Sequence, residues 1–303
     1  MDQGLCIKCG QCVEVCPILQ IEAEFEKPQA AYVVQHRDSN VLRQSTSGGA
    51  FTAIAQQTLS VGGVVFGASL CPDLRVRHTA VPEMEDLRKF RNSKYVQSEV
   101  GDAYEAAQNL LEEGRAVCFS GTPCQIEGLR RFLGRDYAQL VAVDVVCRAV
   151  PSPMIFEKYL SWHAGRLRRQ ITDVVFRDKS NFGYEYSNMC IYSEPDGRPA
   201  VYSRGVESDP FLRAFFSNVC DRPSCHSCHF KKRYRVSDLT LWDCFDVQKL
   251  APGLDNNGGA TRVLAHSERG ETVMKQIELE AHCIQVDVEL AVAGVRELTH
   301  SVP

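Results

Sequence analysis

Residues 118–134, "CFSGTPCQIEGLRRFLG", combine a short apolar strand, a turn of small residues and a helix with apolar periodicity. Turns of this kind that bind phosphate usually carry several glycines and a lysine. This one instead places Cys124 where the helix begins. The stretch therefore predicts one strand–helix unit of an α/β fold, with a cysteine just past the carboxyl end of its strand.

The neighbouring residues repeat this alternation. Buried strands are predicted at "GGVVFGASL" and "LVAVDVV", and helices at "STSGGAFTAIAQQTL", "DAYEAAQNLLEEG" (ending at Gly114) and "PSPMIFEKYLSWHAGRL". Strands that alternate with helices are typical of a parallel sheet with helices on both faces. After residue 170 the pattern becomes strand-like, at "ITDVVFRD" and in "SNMCIYSEPDGRPAVYSR", a hairpin that turns on "PDG". Residues 17–40 are polar and predict an irregular linker.

The predicted fold class is α/β, or α+β when the whole chain is considered. We expect a ferredoxin-like segment at residues 1–30, an α/β domain with a parallel sheet at residues 31–165, and a β-rich part that contains cysteines at residues 166–303. A chain of 303 residues is long enough for one large domain or two modest ones.

Composition narrows the class of protein. The net charge is −4 and no basic stripe runs along the chain, so we expect no nucleic-acid partner. The short basic clusters "GRLRRQ" and "FKKRYR" predict solvated faces. No segment approaches the ~20 apolar residues of a membrane span, and the first residues lack the apolar core of a signal peptide. We therefore expect a cytoplasmic protein, in which the 14 cysteines serve some purpose other than disulfides.

The cysteines at the N-terminus form a spaced run. "CIKCGQCVEVCP" has the pattern C-x2-C-x2-C-x3-C-P, which binds a 4Fe-4S cluster in bacterial ferredoxins. The alternative is a zinc knuckle or a group of reduced thiols. In ferredoxins with two clusters the fourth cysteine serves the other cluster, and this chain has a single run. Either Cys16 completes the ligands of Cys6, Cys9 and Cys12, or a second run is missing upstream.

Cys124 and Cys147 follow two successive predicted strands. Parallel strands end at the same edge of a sheet, which is where open α/β sheets bind ligands. Two buried core thiols would be an equally good explanation from position alone. Further along, Cys225 and Cys228 form C-x2-C. These four thiols are enough for a second cluster, although zinc with His226 or His229 would also suit them.

The chain also resembles the coenzyme F420 hydrogenase/dehydrogenase beta subunit family, iron–sulfur flavoproteins that include hydroxymethyl chlorophyll a reductase. The resemblance covers nearly everything after the N-terminal run. It is carried by "STSGGAF", "GGVVFGA", "RNSKYVQS", "FSGTPCQIEGLRRFLG", "VDVVCRAVPSP", "RPSCHSCHF" and "SDLTLWDCF". It implies FAD on the α/β domain beside a 4Fe-4S cluster.

Motif by motif, the resemblance implies a set of residues around the flavin: Ser47, Gly48, Gly49, Ser93, Lys94, Tyr95, Ser120, Gly121 and Thr122. Glycine amides and hydroxyls suit the pyrophosphate, and a lysine can balance its charge. An ordinary helix N-terminus would explain "STSGG" equally well. The chain departs from the family at Arg148 and Ala149, where histidine and glycine are usual. It departs again at 242–246, "WDCFD".

Together these features predict an iron–sulfur flavoprotein oxidoreductase that carries one or two 4Fe-4S clusters and FAD. Its expected partner is a redox protein, either ferredoxin or a hydrogenase/dehydrogenase subunit, with coenzyme F420 or another small acceptor as candidate substrate. No side-chain general base is evident, which suits chemistry carried by cofactors. One alternative is an electron-transfer subunit without a small substrate of its own. Another is a non-redox binding module stabilised by zinc.

Overall fold

The computed structural model describes residue 4 and residues 6–21, 24–180, 182–193 and 200–303. Its strands are β1 (Ala30–His36), β2 (Val64–Leu70), β3 (Val76–Val81), β4 (Val117–Gly121), β5 (Leu140–Val145), β6 (Ile171–Asp178), β7 (Asn188–Ser193), β8 (Ala200–Arg204), β9 (Leu239–Asp243), β10 (Thr261–Ala265) and β11 (Ala281–Val286).

The helices alternate with the strands through the first half of the chain. They are α1 (Gln11–Glu14), α2 (Ser39–Gln44), α3 (Ala50–Ser60), α4 (Ala103–Glu112), α5 (Pro123–Leu133), α6 (Pro153–Leu167), α7 (Pro210–Phe216), α8 (Val247–Leu250), α9 (Glu268–Gln276), α10 (Val288–Val292) and α11 (Arg296–Thr299). Short 3-10 helices cover Met84–Phe90, Pro223–Ser227, Pro252–Leu254 and Ile277–Leu279.

The main sheet has eight strands in the order β11-β1-β10-β9-β5-β4-β2-β3. Its centre, β9-β5-β4-β2, is parallel, and both flanks are antiparallel. The predicted α/β class and the parallel strands around Cys124 are therefore confirmed. Strands β9 to β11 pair in one sheet with strands from the first half of the chain, so the sheet joins residues on either side of the predicted boundary at residue 165.

Helices cover both faces of this sheet because its strands alternate apolar side chains toward each face. On one face Val65, Cys118 and Val143 pack with α3 and α9, and on the other Phe66 and Phe119 pack with α4 and α5. The central strands are buried on both sides, which explains their continuous apolar sequences. The predicted end of α4 is also confirmed, since Gly114 lies just beyond that helix with φ +79°.

The prediction of an irregular linker over residues 17–40 is wrong in its second half. Ala30–His36 forms β1, which lies between β10 and β11 in the main sheet. Ala31, Val33 and Val34 are fully buried there. The strand is short and has polar sequence on both sides, so its apolar residues give a weak periodic signal.

The smaller sheet consists of β6, β7 and β8, all antiparallel. It packs with α6 and α7 around Phe156, Phe176 and Phe211. The predicted pairing of the two hairpin strands is confirmed, while the predicted turn on "PDG" lies outside the described residues. No helix in the described part of the chain combines the length and apolar character that a membrane span requires.

Candidate iron–sulfur and flavin site

Cys124 lies in the first turn of α5, at the carboxyl end of β4. The helix begins there because Thr122 and Gln125 form a capping box and Pro123 occupies the first helical position. The Thr122 Oγ1 atom lies 3.1 Å from the Cys124 sulfur. The capping residues therefore fix the backbone at this thiol, which is exposed at the surface.

Cys147 follows β5 by two residues, and the C-x2-C segment lies against it. The amide of Arg222 donates to the carbonyl oxygen of Val150 at 3.0 Å, and Pro151 pairs with Asp221. This short antiparallel contact brings the 3-10 helix Pro223–Ser227, with Cys225 inside it, beside the end of β5. The C-terminal tail supports the other side, where the Cys228 amide donates to Ser301 Oγ at 2.9 Å.

The structure brings these four cysteines together. The thiolate forms of Cys124, Cys225 and Cys228 all act on Cys147, where burial together with these charges raises the pKa to about 12. Although Cys124 lies at the surface, neighbouring protein atoms desolvate its sulfur and raise its pKa; the Thr122 hydroxyl opposes this, and Cys228 and Cys225 add to it. A thiol becomes a metal ligand only as the thiolate. Thiols with raised pKa values are therefore stabilised most by a metal cation, which replaces the protons on their sulfurs.

The four cysteines do not form the ligand set of a single metal ion in the described structure. Within the described ranges, no three His, Cys, Asp or Glu side chains converge as closely as the ligands of one metal ion do. Each thiolate of a cubane binds a different iron, so its cysteines lie farther apart than zinc ligands. The four cysteines are neighbours that interact electrostatically.

A cation accompanies the four thiols. The Lys231 ammonium donates to the carbonyl oxygen of Cys147 and, at 2.9 Å, to that of Arg148. It also interacts electrostatically with Cys147 and Cys228. Positive charge beside thiolates stabilises them and any anionic cluster that they hold.

The N-terminal run is far more exposed. Cys6, Cys9 and Cys12 are exposed and Cys16 is partly buried. Short helix α1 begins just after Gly10, which adopts φ +84°. A left-handed residue here turns the chain sharply between Cys9 and Cys12, as wrapping around a compact group requires.

The predicted flavin residues of the "STSGG" turn lie at the N-terminus of α3. Gly48 packs closely there: its amide donates to Thr261 Oγ1 at 2.9 Å, and a Cβ atom would lie 2.1 Å from the Val34 carbonyl oxygen. Ser47 Oγ also contacts Thr261 Oγ1, at 2.7 Å. Gly49 is the N-cap, with φ +79° and no side-chain cap for the helix. The first amides of α3 are therefore the groups that suit an anion such as a diphosphate.

The "SKY" turn adjoins the "STSGG" turn. The Ser93 amide donates to Thr46 Oγ1 at 2.6 Å, which joins the two turns. Lys94 donates to the carbonyl oxygens of Lys89 and Arg91, and burial lowers its pKa to about 7. Tyr95 turns into the core, where its ring stacks on Phe215 with centroids 4.7 Å apart.

The third predicted group follows β4. Ser120 Oγ donates to the Phe66 carbonyl oxygen at 3.1 Å, and Gly121 precedes the Thr122 cap. Buried His78 lies 3.0 Å from the Ser120 carbonyl oxygen through Nε2, so this nitrogen carries the proton. All three predicted groups lie at the carboxyl edge of the parallel strands, which is also the edge of Cys124.

Sequence reasoning missed a charged and aromatic group at this edge. Arg177 pairs with Asp243 at 2.6 Å, and Tyr184 stacks on Phe245 with centroids 5.0 Å apart. Buried Lys179 donates to the carbonyl oxygen of Ser47 at 2.9 Å. Asp243 lies at the end of a parallel strand, as Gly121 does. The expectation that ligands bind at the carboxyl ends of such strands could therefore have identified it. Arg177 lies in β6 of the smaller sheet and Lys179 directly follows that strand, and the sequence does not indicate where this sheet lies.

The two departures from the family pattern are accommodated by packing. Arg148 donates to the Phe216 carbonyl oxygen at 2.9 Å and pairs with Glu297 at 3.0 Å, which fastens the Cys147 loop to α7 and α11. Trp242 packs under α10 beside Leu264. Neither residue replaces a cysteine of the site.

A cavity of about 550 Å³ lies at the opposite edge of the sheet. Arg130 and Arg269 in its lining each pair with both Asp136 and Asp238. Because these charges compensate one another, the cavity offers no excess charge to an ionic ligand.

Two family models match this chain. Residues 114–289 match the family described as the C terminus of the coenzyme F420 hydrogenase/dehydrogenase beta subunit, and residues 1–22 match a 4Fe-4S binding domain. A curated relative, the coenzyme F420-dependent sulfite reductase of Methanocaldococcus jannaschii, is 23% identical over 316 aligned residues. These cover 92% of this chain, which spans about half (47%) of the relative.

The fold is also similar to a solved structure. A chain of the F420-reducing nickel-iron hydrogenase complex from Methanosarcina barkeri superposes with a TM-score of 0.55 at 16% identity. The superposition covers 88% of this chain and 85% of the other.

Proposed function

The chain belongs to the coenzyme F420 hydrogenase/dehydrogenase beta subunit family, and on this premise we propose that it is an iron–sulfur flavoprotein oxidoreductase. Its N-terminal run matches a 4Fe-4S binding domain, which supports iron–sulfur electron transfer. The finer proposal is that electrons move between 4Fe-4S clusters and FAD. The observation that carries it is the meeting of four cysteines with three predicted flavin-binding turns at one edge of the sheet.

The residues divide into three groups by what they would hold. Cys124, Cys147, Cys225 and Cys228 would hold an inner 4Fe-4S cluster, and Cys6, Cys9, Cys12 and Cys16 an outer one. The turns at Ser47–Gly49, Ser93–Tyr95 and Ser120–Thr122 would hold FAD, with Lys94 and the α3 amides facing its diphosphate. When bound, the clusters supply one-electron exchange and the flavin links one-electron to two-electron chemistry.

The protein's own part is therefore to bind and orient. The buried Cys147 thiol and the nearby Lys231 ammonium would together favour an anionic cluster at this ligand. The stacked rings of Tyr184 and Phe245, with the latter exposed, offer a flat surface at the same edge. A small planar two-electron acceptor would fit that surface.

Coenzyme F420 is the acceptor that we propose first, since the curated relative is named for its dependence on it. A ferredoxin, or a hydrogenase or dehydrogenase subunit, is the proposed redox partner, because the superposed chain comes from a hydrogenase complex. We also propose that the protein is cytoplasmic, because the cytoplasm keeps free thiols reduced. An electron-transfer subunit without its own small substrate is the second candidate, favoured by that same complex.

The test starts from protein purified without oxygen. Iron and sulfide analysis together with the visible spectrum separate clusters and flavin from zinc, which absorbs no visible light. We expect a flavin spectrum over broad iron–sulfur absorption. Colourless protein with stoichiometric zinc would contradict the proposal. Reduced ferredoxin and reduced coenzyme F420 are then offered separately, each with and without a partner subunit. Flavin reduction by F420 alone identifies an enzyme, and reduction only with the partner identifies a subunit.

A further inference from the structure

The residues of the basic segment Phe230–Arg235 are buried or partly buried. The sequence predicts a solvated face instead. Arg235 is 3% exposed, and its Nη1 atom donates to buried Asp144 Oδ1 at 3.1 Å. Lys232 pairs with Glu127 at 3.1 Å, and both side chains are largely buried. The other cluster, "GRLRRQ", is solvated as predicted. The charges of Phe230–Arg235 thus serve internal contacts.

One side of this segment contacts the elements that carry the inner cysteines. Lys231 donates to the carbonyl oxygens of Cys147 and Arg148. Glu127, the partner of Lys232, lies one turn beyond Cys124 on α5. The segment itself starts two residues after Cys228. Phe230–Arg235 therefore contacts the Cys147 loop and the helix of Cys124, and it closely follows Cys228 in the sequence.

The other side of the segment holds the N-terminal residues. Glu24 accepts from the Tyr234 amide at 2.7 Å, and Lys27 donates to the Arg235 carbonyl oxygen at 2.6 Å. Gln29 donates to the Arg233 carbonyl oxygen and accepts from its Nε, both at 3.2 Å. Side chains of residues 24–29 thus satisfy backbone groups of three consecutive residues.

These polar contacts fix the position of the N-terminal run. No residue among 6–21 and 24–29 is fully buried, so no apolar core fixes this stretch. A second polar contact joins the stretch to α5, since Arg131 donates to the Gln20 carbonyl oxygen. The helix that carries Cys124 and the segment that follows Cys228 therefore both hold this stretch, and Gln29 Nε2 also lies 2.9 Å from His266 Nδ1.

We propose that Phe230–Arg235 is a positioning segment that holds the ferredoxin-type run at a fixed separation from the four-cysteine site. A fixed separation is what direct electron exchange between two clusters requires. The inference rests on the proposed function, because it assumes that both cysteine sets hold clusters. Glu24 and Lys27 are positioning residues in this scheme, and neither touches a cysteine.

The test measures magnetic coupling between the two reduced clusters by electron paramagnetic resonance. The reduced wild-type protein is expected to show splitting from two interacting spins. The double variant Glu24→Ala/Lys27→Met should keep about eight irons per chain yet lose that splitting. Glu24→Gln retains an acceptor oxygen for the Tyr234 amide and should keep the splitting.

A matched control is Glu105→Ala/Lys249→Met. It makes the same changes of residue type and charge at two exposed positions, neither of which makes a side-chain hydrogen bond in the described part of the chain. The control should retain both iron and splitting. Intact iron with unchanged splitting in the Glu24→Ala/Lys27→Met protein would overturn this inference alone. Only about four irons in the wild type would overturn the two-cluster proposal, and this inference with it.

Discussion

The Lys94 ammonium lies 2.8 Å from the carbonyl oxygen of Arg91. A second contact, at 3.0 Å, joins it to the Lys89 carbonyl oxygen near the end of the 3-10 helix Met84–Phe90. An ammonium has three N–H donors, and in the described part of the chain these contacts engage two of them. Lys94 is thus held in place beside the flavin-binding turns that we propose, with a donor left for an anion.

FAD affinity should therefore depend on pH. Burial lowers the pKa of Lys94 to about 7, opposed by the charge of Asp173. A bound diphosphate would stabilise the ammonium and raise that pKa, so binding takes up a proton above pH 7. The affinity should be constant below about pH 7 and fall by up to about tenfold per pH unit above it. Quenching of flavin fluorescence between pH 6 and pH 9 measures this.

Removing the ammonium should weaken FAD retention. Lys94→Ala should cost about 1.5–3 kcal/mol of binding, the range for a charge-assisted hydrogen bond. The same variant should lose the pH dependence above pH 7. Lys89→Ala is the control, because that ammonium pairs with Asp86 at 2.8 Å on the surface. If Lys94→Ala binds FAD as tightly as the wild type, Lys94 has no part in the flavin site.

Cys124→Ser should remove the inner cluster. A serine hydroxyl is a poor ligand for iron, so about four irons per chain should be lost while the outer cluster remains. Iron analysis of anaerobically purified protein gives the result. Cys283→Ser, on edge strand β11, is the matched control and should keep all its iron. Unchanged iron in Cys124→Ser would contradict the four-cysteine assignment.

The outer cluster should be the first to fail in air. Cys6, Cys9 and Cys12 are exposed, so oxygen reaches this site before it reaches Cys147. Brief aeration should bleach part of the iron–sulfur absorption and leave the flavin and about four irons.

In anaerobic protein, Cys9→Ser should abolish flavin reduction by ferredoxin but not by a direct hydride donor. Full-rate reduction by ferredoxin in Cys9→Ser would mean that the run carries no electrons.

Gly48→Ala should destabilise the fold. Its Cβ would lie 2.1 Å from the Val34 carbonyl oxygen and 2.6 Å from the Thr261 amide nitrogen, so backbone must move. Overpacking of this kind costs about 1–3 kcal/mol or more, measurable by denaturant unfolding. Gly165→Ala, within α6, meets no atom within 4 Å and should be neutral or stabilising by about 0.5–1 kcal/mol. Equal unfolding midpoints for Gly48→Ala and wild type would contradict this packing.

The central strands and helices could be predicted because each element carries its own periodic signal. The residues around Cys124 and Cys147 also indicate which sheet edge they share, since parallel strands end together. β1 escaped prediction because polar residues flank Ala30–His36 on both sides. Its burial comes from β10 and β11, which lie more than 200 residues away in sequence.

The candidate site could be predicted only where a sequence motif is typical of a particular chemistry. The spacings of the N-terminal cysteines and of Cys225 and Cys228 are typical of metal ligands, whereas Arg177 and Lys179 have no distinctive local sequence. They reach the carboxyl edge of the parallel strands because β6 of the smaller sheet ends there. The "FKKRYR" stretch shows the same limit, since its partners Glu127 and Asp144 belong to other elements.

The position of β1 in the sheet also orders the assembly of the protein. Both neighbours of Ala30–His36 come from the last part of the chain, up to Val286. Contacts that are this distant in sequence form late, because the intervening loop must close first. On the ribosome the ferredoxin-type run is made more than 200 residues before Phe230–Arg235 and before both strand partners of β1, so it is not held in place until those segments exist. Iron delivered to it before then would meet a segment that still lacks its anchor.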